Sequence, residues 1–233
     1  MRKTSIDKKD FAKELVKIIR TTKDKRKLLE ILSDYHERDI AEAIAQLTET
    51  ERKRLYAKLG ARKMAEIFSY LEDVEPYIEE LPVDRAAKVV SFMDADDALD
   101  VLDDLQEEKK QEIVSRLESA AQKDVRRLLS YEEDEIASCM TNNFICIRED
   151  LSIREAMKEL IRQAREHDNI STLYAVDTED KFAGAIDLKD LILAGVQDNL
   201  QDIISSSYPY VLEHEKIDEC IEKISEYEED SIP

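Results

Sequence analysis

Residues 86–105 read AAKVVSFMDADDALDVLDDL, and two patterns meet in them. The first eight residues repeat a phrase found twice earlier, at 40–47 and at 64–71. Ala41, Ala65 and Ala87 fall in step, each followed six positions on by a large apolar residue, Leu47, Leu71 or Met93. The steps of 24 and 22 residues are each the length of one helical hairpin. Such a hairpin cannot bury its apolar face alone, so the units are expected to stack as a small solenoid. Gly60, Pro76 and Pro82 fall between units and break the helices there. A last helix pair, 107–117 and 121–129, closes the series.

The second pattern is acidic. Residues 94–105 hold Asp94, Asp96, Asp97, Asp100, Asp103 and Asp104 around an apolar stripe of Ala98, Val101, Leu102 and Leu105. This spacing predicts an amphipathic helix with Asp94 at the N-cap and the early aspartates at the positive end of the dipole. Asp96, Asp100 and Asp103 recur one turn apart on the outward face. Like charges at that spacing repel by about 0.7 kcal/mol per pair in water and by about 3 at an effective dielectric near 20. A wet face tolerates the smaller figure. A face brought against further acidic surface needs a cation between.

The chain of 233 residues is long enough for two modest domains. A net charge of −20 beside 42% hydrophobic residues describes a folded acidic protein, not a disordered one. Three glycines and four prolines leave room for few tight turns. The charge is uneven. Residues 1–27 carry eleven basic and four acidic side chains, a balance of +7, against 24 and 51, or −27, in the remainder. A body that acidic repels nucleic acid and anionic lipid and draws cations or basic partners. The basic segment either stays solvated, pairs with its own acidic body, or meets phosphates or a membrane surface.

Cys139, Cys146 and Cys220 are odd in number and lack C-x-x-C spacing, and no signal peptide precedes them, which fits a reducing cytoplasm. Cys146 and Cys220 sit in apolar patterns expected in the core. His36, His167 and His214 show no zinc-ligand spacing. No apolar run reaches the ~18–20 residues of a membrane span. There is no phosphate-cradling glycine loop, Cys/His cluster or Ser/His/Asp set, so no enzyme is expected. The paired carboxylates are expected on open helix surface, away from any apolar cleft that would raise a pKa.

After Tyr131 the texture changes. Residues 144–147 read as a strand. Ser152 and Glu155 form a capping box opening a helix over 152–166, with Ile153, Ala156, Met157, Leu160 and Ile161 inward. Strands follow at 172–177 and 182–186, and Asp187 caps a short helix through Leu193. Then the unit restarts. Met140, Phe144, Cys146, Ile147, Ile153, Ala156, Met157 and Leu160 recur 64 residues on as Ile204, Tyr208, Tyr210, Val211, Ile217, Cys220, Ile221 and Ile224. The second copy stops at 231–233, before its strand hairpin, so a folded protein is expected to continue past this end.

Residues 140–233, opened by Met140-Thr141, resemble a CBS-domain pair. With the helical repeats and the Tyr-Glu-Glu-Asp segment at 131–134 before it, the stretch 35–233 resembles the cytosolic half of MgtE-type magnesium transporters and channels. The resemblance implies an α + α/β fold: an N-terminal all-helical superhelix of short helix pairs, then a CBS-domain pair with its second copy truncated. The implied divisions are a basic arm at 1–34, an acidic helical-repeat domain at 35–130, a connecting segment at 131–139, a first CBS domain at 140–200 and the start of a second at 201–233.

The resemblance also implies a function. In that family the cytosolic half senses Mg²⁺, which bridges the acidic helical domain to the CBS domain and holds an attached pore closed. The family's acidic pair falls on Asp96 and Asp100, and a further acidic position on Glu66. A carbonyl ligand from a Gly-Gly pair falls on Ala137-Ser138, where Ser138 keeps the carbonyl and loses the glycine's freedom. CBS pairs also take adenine nucleotides such as ATP. Asp190 matches the ribose-binding aspartate, Lys189 is placed to meet phosphate, and the adenine-stacking aromatic is here Thr172. The implied partners are a second copy, held through the CBS domains and an exposed apolar helix at 188–196, and a membrane pore domain of the same protein. The implied location is the cytoplasmic face of the membrane. A competing assignment is an adenine-nucleotide-sensing CBS module whose helical domain is a protein-interaction scaffold.

Overall fold

The computed structural model describes residues 11–227 and 229–233. The chain divides into two compact units, one of residues up to Met93 with Asp97–Val125, the other of Asp94–Asp96 with Arg126–Pro233. No helix among the described residues is long and apolar enough to cross a membrane.

The first unit is built from α1 (Phe11–Thr21), α2 (Lys25–Leu32), α3 (Glu37–Ala45), α4 (Glu49–Tyr56), α5 (Ala61–Phe68), α6 (Glu75–Glu79), α7 (Val83–Val90), α8 (Ala95–Asp103), α9 (Glu107–Val114) and α10 (Ser119–Leu128). The first residues of α8 and the last of α10 group with the second unit. Helix α1 packs on α3, α3 on α5, α5 on α7 and α7 on α9, which is the stacking that the repeated phrase implies. Ala41, Ala65 and Ala87 are buried, and their small size lets successive helices approach closely. The breakers act as expected: Gly60 and Pro82 occupy the N-cap positions of α5 and α7, and Pro76 sits in the first turn of α6. The basic N-terminal segment joins the same core, burying Leu15, Val16, Ile19, Leu28 and Leu32. A helix start at residue 5 lies outside the described residues.

Within the first unit, Arg52 on α4 donates through Nε to both carboxylate oxygens of Glu80 at 3.0 Å, and both side chains are largely buried. A buried pair of this kind is weak evidence for stability, but removing one partner strands a charge.

The second unit holds a three-stranded sheet of β1 (Ile145–Arg148), β2 (Thr172–Val176) and β3 (Phe182–Asp187), in that spatial order. Strand β1 is parallel to β2, and β2 is antiparallel to β3. A parallel pair needs a crossover, and α11 (Ile153–Gln163) supplies it, packing on β1. The expected Ser152–Glu155 capping box opens α11. Ile145, Ile147, Leu173, Ala175 and Ile186 bury one sheet face against Ile153, Ala156 and Leu160. The free edge of β1 is closed by Gln163, whose amide accepts from the Cys146 N–H at 3.1 Å and donates to its carbonyl at 2.7 Å. Asp187 caps α12 (Leu188–Leu193) as expected, and α12 packs on β3.

Three sequence expectations are corrected here. Ile161, expected inward, is 56% exposed on the outer side of α11. Cys146 is half-buried on the sheet's other face, whereas Cys220 on α13 (Ile217–Ile224) is fully buried as expected. The copy of β1 expected at 208–211 forms no strand; Val211 donates to the Pro233 carbonyl at 3.1 Å and the segment is otherwise irregular. Strand β1 is held by β2, whereas among the described residues no strand pairs with 208–211.

Gly184 marks the tightest approach in this unit. Its φ is +155°, and a Cβ there would lie 2.6 Å from both the Ser205 carbonyl and Ile204 Cγ2. Ser205 in turn exchanges both backbone hydrogen bonds with Ala185, at 2.8 and 3.1 Å. Gly184→Ala is expected to cost about 1–3 kcal/mol in urea unfolding. Gly60→Ala, with nothing within 4 Å of the added carbon, is expected to cost under about 1 kcal/mol.

Candidate functional site

The acidic stretch folds as the sequence implies on its apolar side. Ala98, Val101, Leu102 and Leu105 are all buried. Its polar side is not the uniformly open surface expected. Within the first unit, Asp97, Asp100, Asp103 and Asp104 of α8 and the following turn, with Glu72, rim a cleft of about 400 Å³. Phe68, Leu71, Val74, Met93 and Val101 supply its apolar lining. Asp103 is not left to its like-charged neighbours: Lys110 of α9 forms an ion pair with it.

The start of α8 belongs to a polar cluster of the second unit. Asn143 Nδ2 donates to Asp94 Oδ2 at 2.9 Å and to Asp168 Oδ1 at 2.5 Å. Its Oδ1 accepts from the backbone N–H groups of Asp168 and Asn169 at 3.0 and 3.2 Å. The Ala95 N–H donates to Asn142 Oδ1 at 3.0 Å, so a side chain from outside the helix satisfies one of its orphan donors. Burial pushes the Asp94 carboxyl above the ordinary carboxylate range, the Asn143 hydrogen bond opposes the shift, and the charges of Asp96 and Asp168 add to it.

Asp96 is the most informative of the candidate ligands. Its Oδ1 is buried and has no hydrogen-bond partner among the described residues. A buried anionic oxygen without a donor is costly, and a cation is one thing that relieves it. Asp100 lies one helical turn on, exposed at the cleft. Among the described residues no three His, Cys, Asp or Glu side chains converge on a position that could hold a metal. Asp96 and Asp100 lie one helical turn apart, and of the two only Asp100 lines the cleft. Carboxylate oxygens are the ligands that a hard divalent cation prefers.

The other sequence candidates are placed apart from this pair along the chain. Glu66 is exposed on α5, pairs with Lys63 at 3.1 Å and does not line the cleft; Lys63 also pairs with Glu37. Ser138 lies in a 3-10 turn, Ile136–Cys139, with its hydroxyl donating back to the Glu135 carbonyl at 2.8 Å. Lys189 and Asp190 are neighbouring exposed residues of α12, where the Lys189 N–H donates to the Asp187 cap at 2.6 Å.

Sequence reasoning missed two features. One is Asn143, which ties Asp94 to Asp168; a single asparagine in a loop carries no pattern. The other is an aromatic cluster on the sheet's second face, where Tyr174 meets Phe144, Phe182 and Tyr208 with ring centroids 6.1–6.4 Å apart. The Tyr174 hydroxyl bonds the Ser231 hydroxyl at 2.6 Å and that of Tyr208 donates to the Ser231 carbonyl at 2.7 Å. Burial raises both phenols above their ordinary range. The strand's alternation was the available signal: if Leu173 points inward, Tyr174 points to the other face.

Residues 35–134 match the family model of the MgtE intracellular N domain, and residues 134–196 that of the CBS domain. The magnesium transporter MgtE of Thermus thermophilus is 27% identical over 215 residues, covering 90% of this chain and 48% of its own length. That of Bacillus subtilis is 24% identical over 192 residues, covering 76% and 43%. The chain thus spans about half the length of the curated relatives it matches. Among solved structures, the soluble part of a magnesium transporter superposes with a TM-score of 0.88 at 25% identity, over 96% of this chain and 89% of that one. The cytosolic domain of the Mg²⁺ channel MgtE in complex with ATP superposes with a TM-score of 0.79 at 26% identity, over 95% and 91%.

The Asp94 environment has a measurable consequence. A carboxyl whose folded pKa is raised subtracts stability as the pH climbs from the ordinary carboxylate value through the raised one. Asp94→Asn keeps an acceptor for Asn143 and removes the charge. It is expected to raise stability by up to about 1 kcal/mol at neutral pH, with the gain vanishing near pH 3, as read from denaturant unfolding at both pH values.

Proposed function

We propose that this chain, which belongs to the MgtE family through its N domain and CBS domain, is a cytosolic Mg²⁺-sensing regulatory region. Mg²⁺ shared between carboxylates of the helical domain and oxygens of the CBS side favours the closed state of an attached pore. The observation that carries this assignment is the buried, unpartnered oxygen of Asp96, followed one turn later by Asp100. Mg²⁺ takes oxygen ligands at ~2.0–2.1 Å in near-octahedral geometry and retains several waters, so two carboxylates suffice to begin a site. Asp96 and Asp100 hold the ion first. Glu66, once released from Lys63, and the Ser138 carbonyl are the further donors.

The energetic logic needs only weak sites. An ion that binds one arrangement and not the other stabilises it by RT ln(1 + [L]/Kd), about 2.7 kcal/mol at 100 Kd, and several sites add. Without the ion, mutual repulsion among the carboxylates opposes that arrangement. In this scheme the region sits at the cytoplasmic face of the membrane, joined to a pore domain, and pairs with a second copy. Ile192, Leu193 and Val196, on and just after α12, are 61%, 71% and 68% exposed and supply an apolar surface for that pairing. The relatives are named as transporters, which agrees with a regulatory, non-catalytic role.

A nucleotide is the second ligand this region is proposed to take, because one structural neighbour was solved in complex with ATP. Asp190 would accept from the ribose hydroxyls and Lys189 would meet phosphate. Thr172 offers no ring for the base, so affinity rests on the polar contacts.

Small-angle scattering tests the first assignment. Millimolar-range Mg²⁺ is expected to reduce the radius of gyration of the chain, and the change is expected to be lost in the Asp96→Ala/Asp100→Ala double variant. One envelope in chelator and in Mg²⁺ would sink it. Titration calorimetry tests the second: ATP is expected to bind, and Asp190→Ala to weaken it at least tenfold, about 1.4 kcal/mol. Unchanged affinity in that variant would remove Asp190 from the site.

A further inference from the structure

The charge asymmetry of the sequence survives folding as a discrete surface. In the first unit, Lys23, Lys25, Arg26 and Lys27 surround the turn from α1 to α2, and all four are exposed. Just past α4, Lys58 donates its ammonium to the Thr22 carbonyl at 3.0 Å, which brings the end of α4 against the same turn. Arg54, one helical turn earlier, is exposed as well.

Of the nearby carboxylates, Asp24 and Glu51 are already engaged, whereas Glu30 on α2 is exposed. Asp24 caps α2 by accepting from the Lys27 N–H at 2.7 Å. Glu51 is held by Arg20 at 2.8 and 3.2 Å and by the Thr48 N–H at 2.9 Å; together these bonds push its carboxyl down to about 2. By contrast, Lys23, Lys25, Arg26, Lys27 and Arg54 have no ion-pair partner among the described residues. These five cations are therefore not consumed by the acidic body. From the sequence, the ten residues before α1 carry four basic and two acidic side chains.

We propose that this patch is a membrane-surface contact that binds the anionic headgroups of phospholipids. Clusters of four to eight Lys and Arg near a bilayer are attracted by its surface potential, within a Debye length of about 8 Å. At that range the local cluster decides the interaction, while the acidic remainder of the chain is screened. One feature favours a lipid surface over a nucleic acid: none of the patch residues is aromatic, so bases have nothing to stack on. The proposal borrows from the Mg²⁺-sensing assignment only the nearness of a bilayer.

Flotation of the 233-residue chain with phosphatidylcholine vesicles, with and without phosphatidylserine, tests it. Binding is expected only to the phosphatidylserine vesicles. It should be lost at ~1 M salt, where the Debye length falls to ~3 Å. Lys25→Gln/Arg26→Gln/Lys27→Gln is expected to weaken it roughly 100-fold, at roughly fivefold per charge. Glutamine matches lysine in helix propensity, and an unchanged circular dichroism spectrum verifies the fold. Lys53→Gln, which removes a cation already paired with Glu49, is expected to bind as the parent does.

The proposal is overturned if phosphatidylserine vesicles do not capture the parent at low salt, if the triple variant floats equally well, or if a single-stranded oligonucleotide displaces the vesicles. The scattering response to Mg²⁺ is read on the same variant. Retention of that response with loss of flotation separates the two functions.

Discussion

Carboxylates that share one helix face and are partly cut off from water cannot all remain charged without something positive among them. That constraint organises α8. At its start, Asp94 is buried enough to resist ionisation and leans on Asn143. Asp96 leaves an oxygen buried and unanswered. Farther along, Lys110 neutralises Asp103, and the remaining carboxylates open onto a cleft. The helix therefore runs from a desolvated anionic end to a solvated one.

The stack of helical hairpins makes such an arrangement possible. The buried alanines Ala41, Ala65 and Ala87 set a close spacing, and the apolar stripe of α8 fastens the acidic helix to the last units of that stack. A rigid scaffold holds like charges together against their repulsion of about 3 kcal/mol per pair at an effective dielectric near 20. A free acidic helix would relax that repulsion by fraying. A packed one stores it.

Much of this was legible in the sequence, for identifiable reasons. The helical repeats declare themselves through local periodicity, and the 64-residue repeat through its register of strand and helix core positions. The capping box at Ser152 and Glu155 needs only four residues to be seen. What failed to show depends on partners distant in sequence. The segment at 208–211 carries the pattern of β1 yet forms no strand, because a strand exists only with its neighbour. Ile161 matches the apolar period of α11 yet lies at the margin of the buried stripe. The cleft needed Glu72 and Phe68 to come up beside α8, and the Asp94 cluster needed Asn143, some fifty residues away. Of the candidate ligands, Asp96 and Asp100 were readable as a pair one turn apart. The unpartnered oxygen that distinguishes Asp96 was not.

The central claim is that a hard divalent cation completes the environment of Asp96. Anomalous diffraction from crystals grown with Mn²⁺, which accepts the same oxygen ligands as Mg²⁺, tests it most directly. The account predicts an anomalous peak ~2.0–2.2 Å from Asp96 Oδ1 with Asp100 or an ordered water completing the shell. Well-occupied Mn²⁺ elsewhere in the crystal, with Asp96 Oδ1 still bare or bonded only to protein donors, would contradict it.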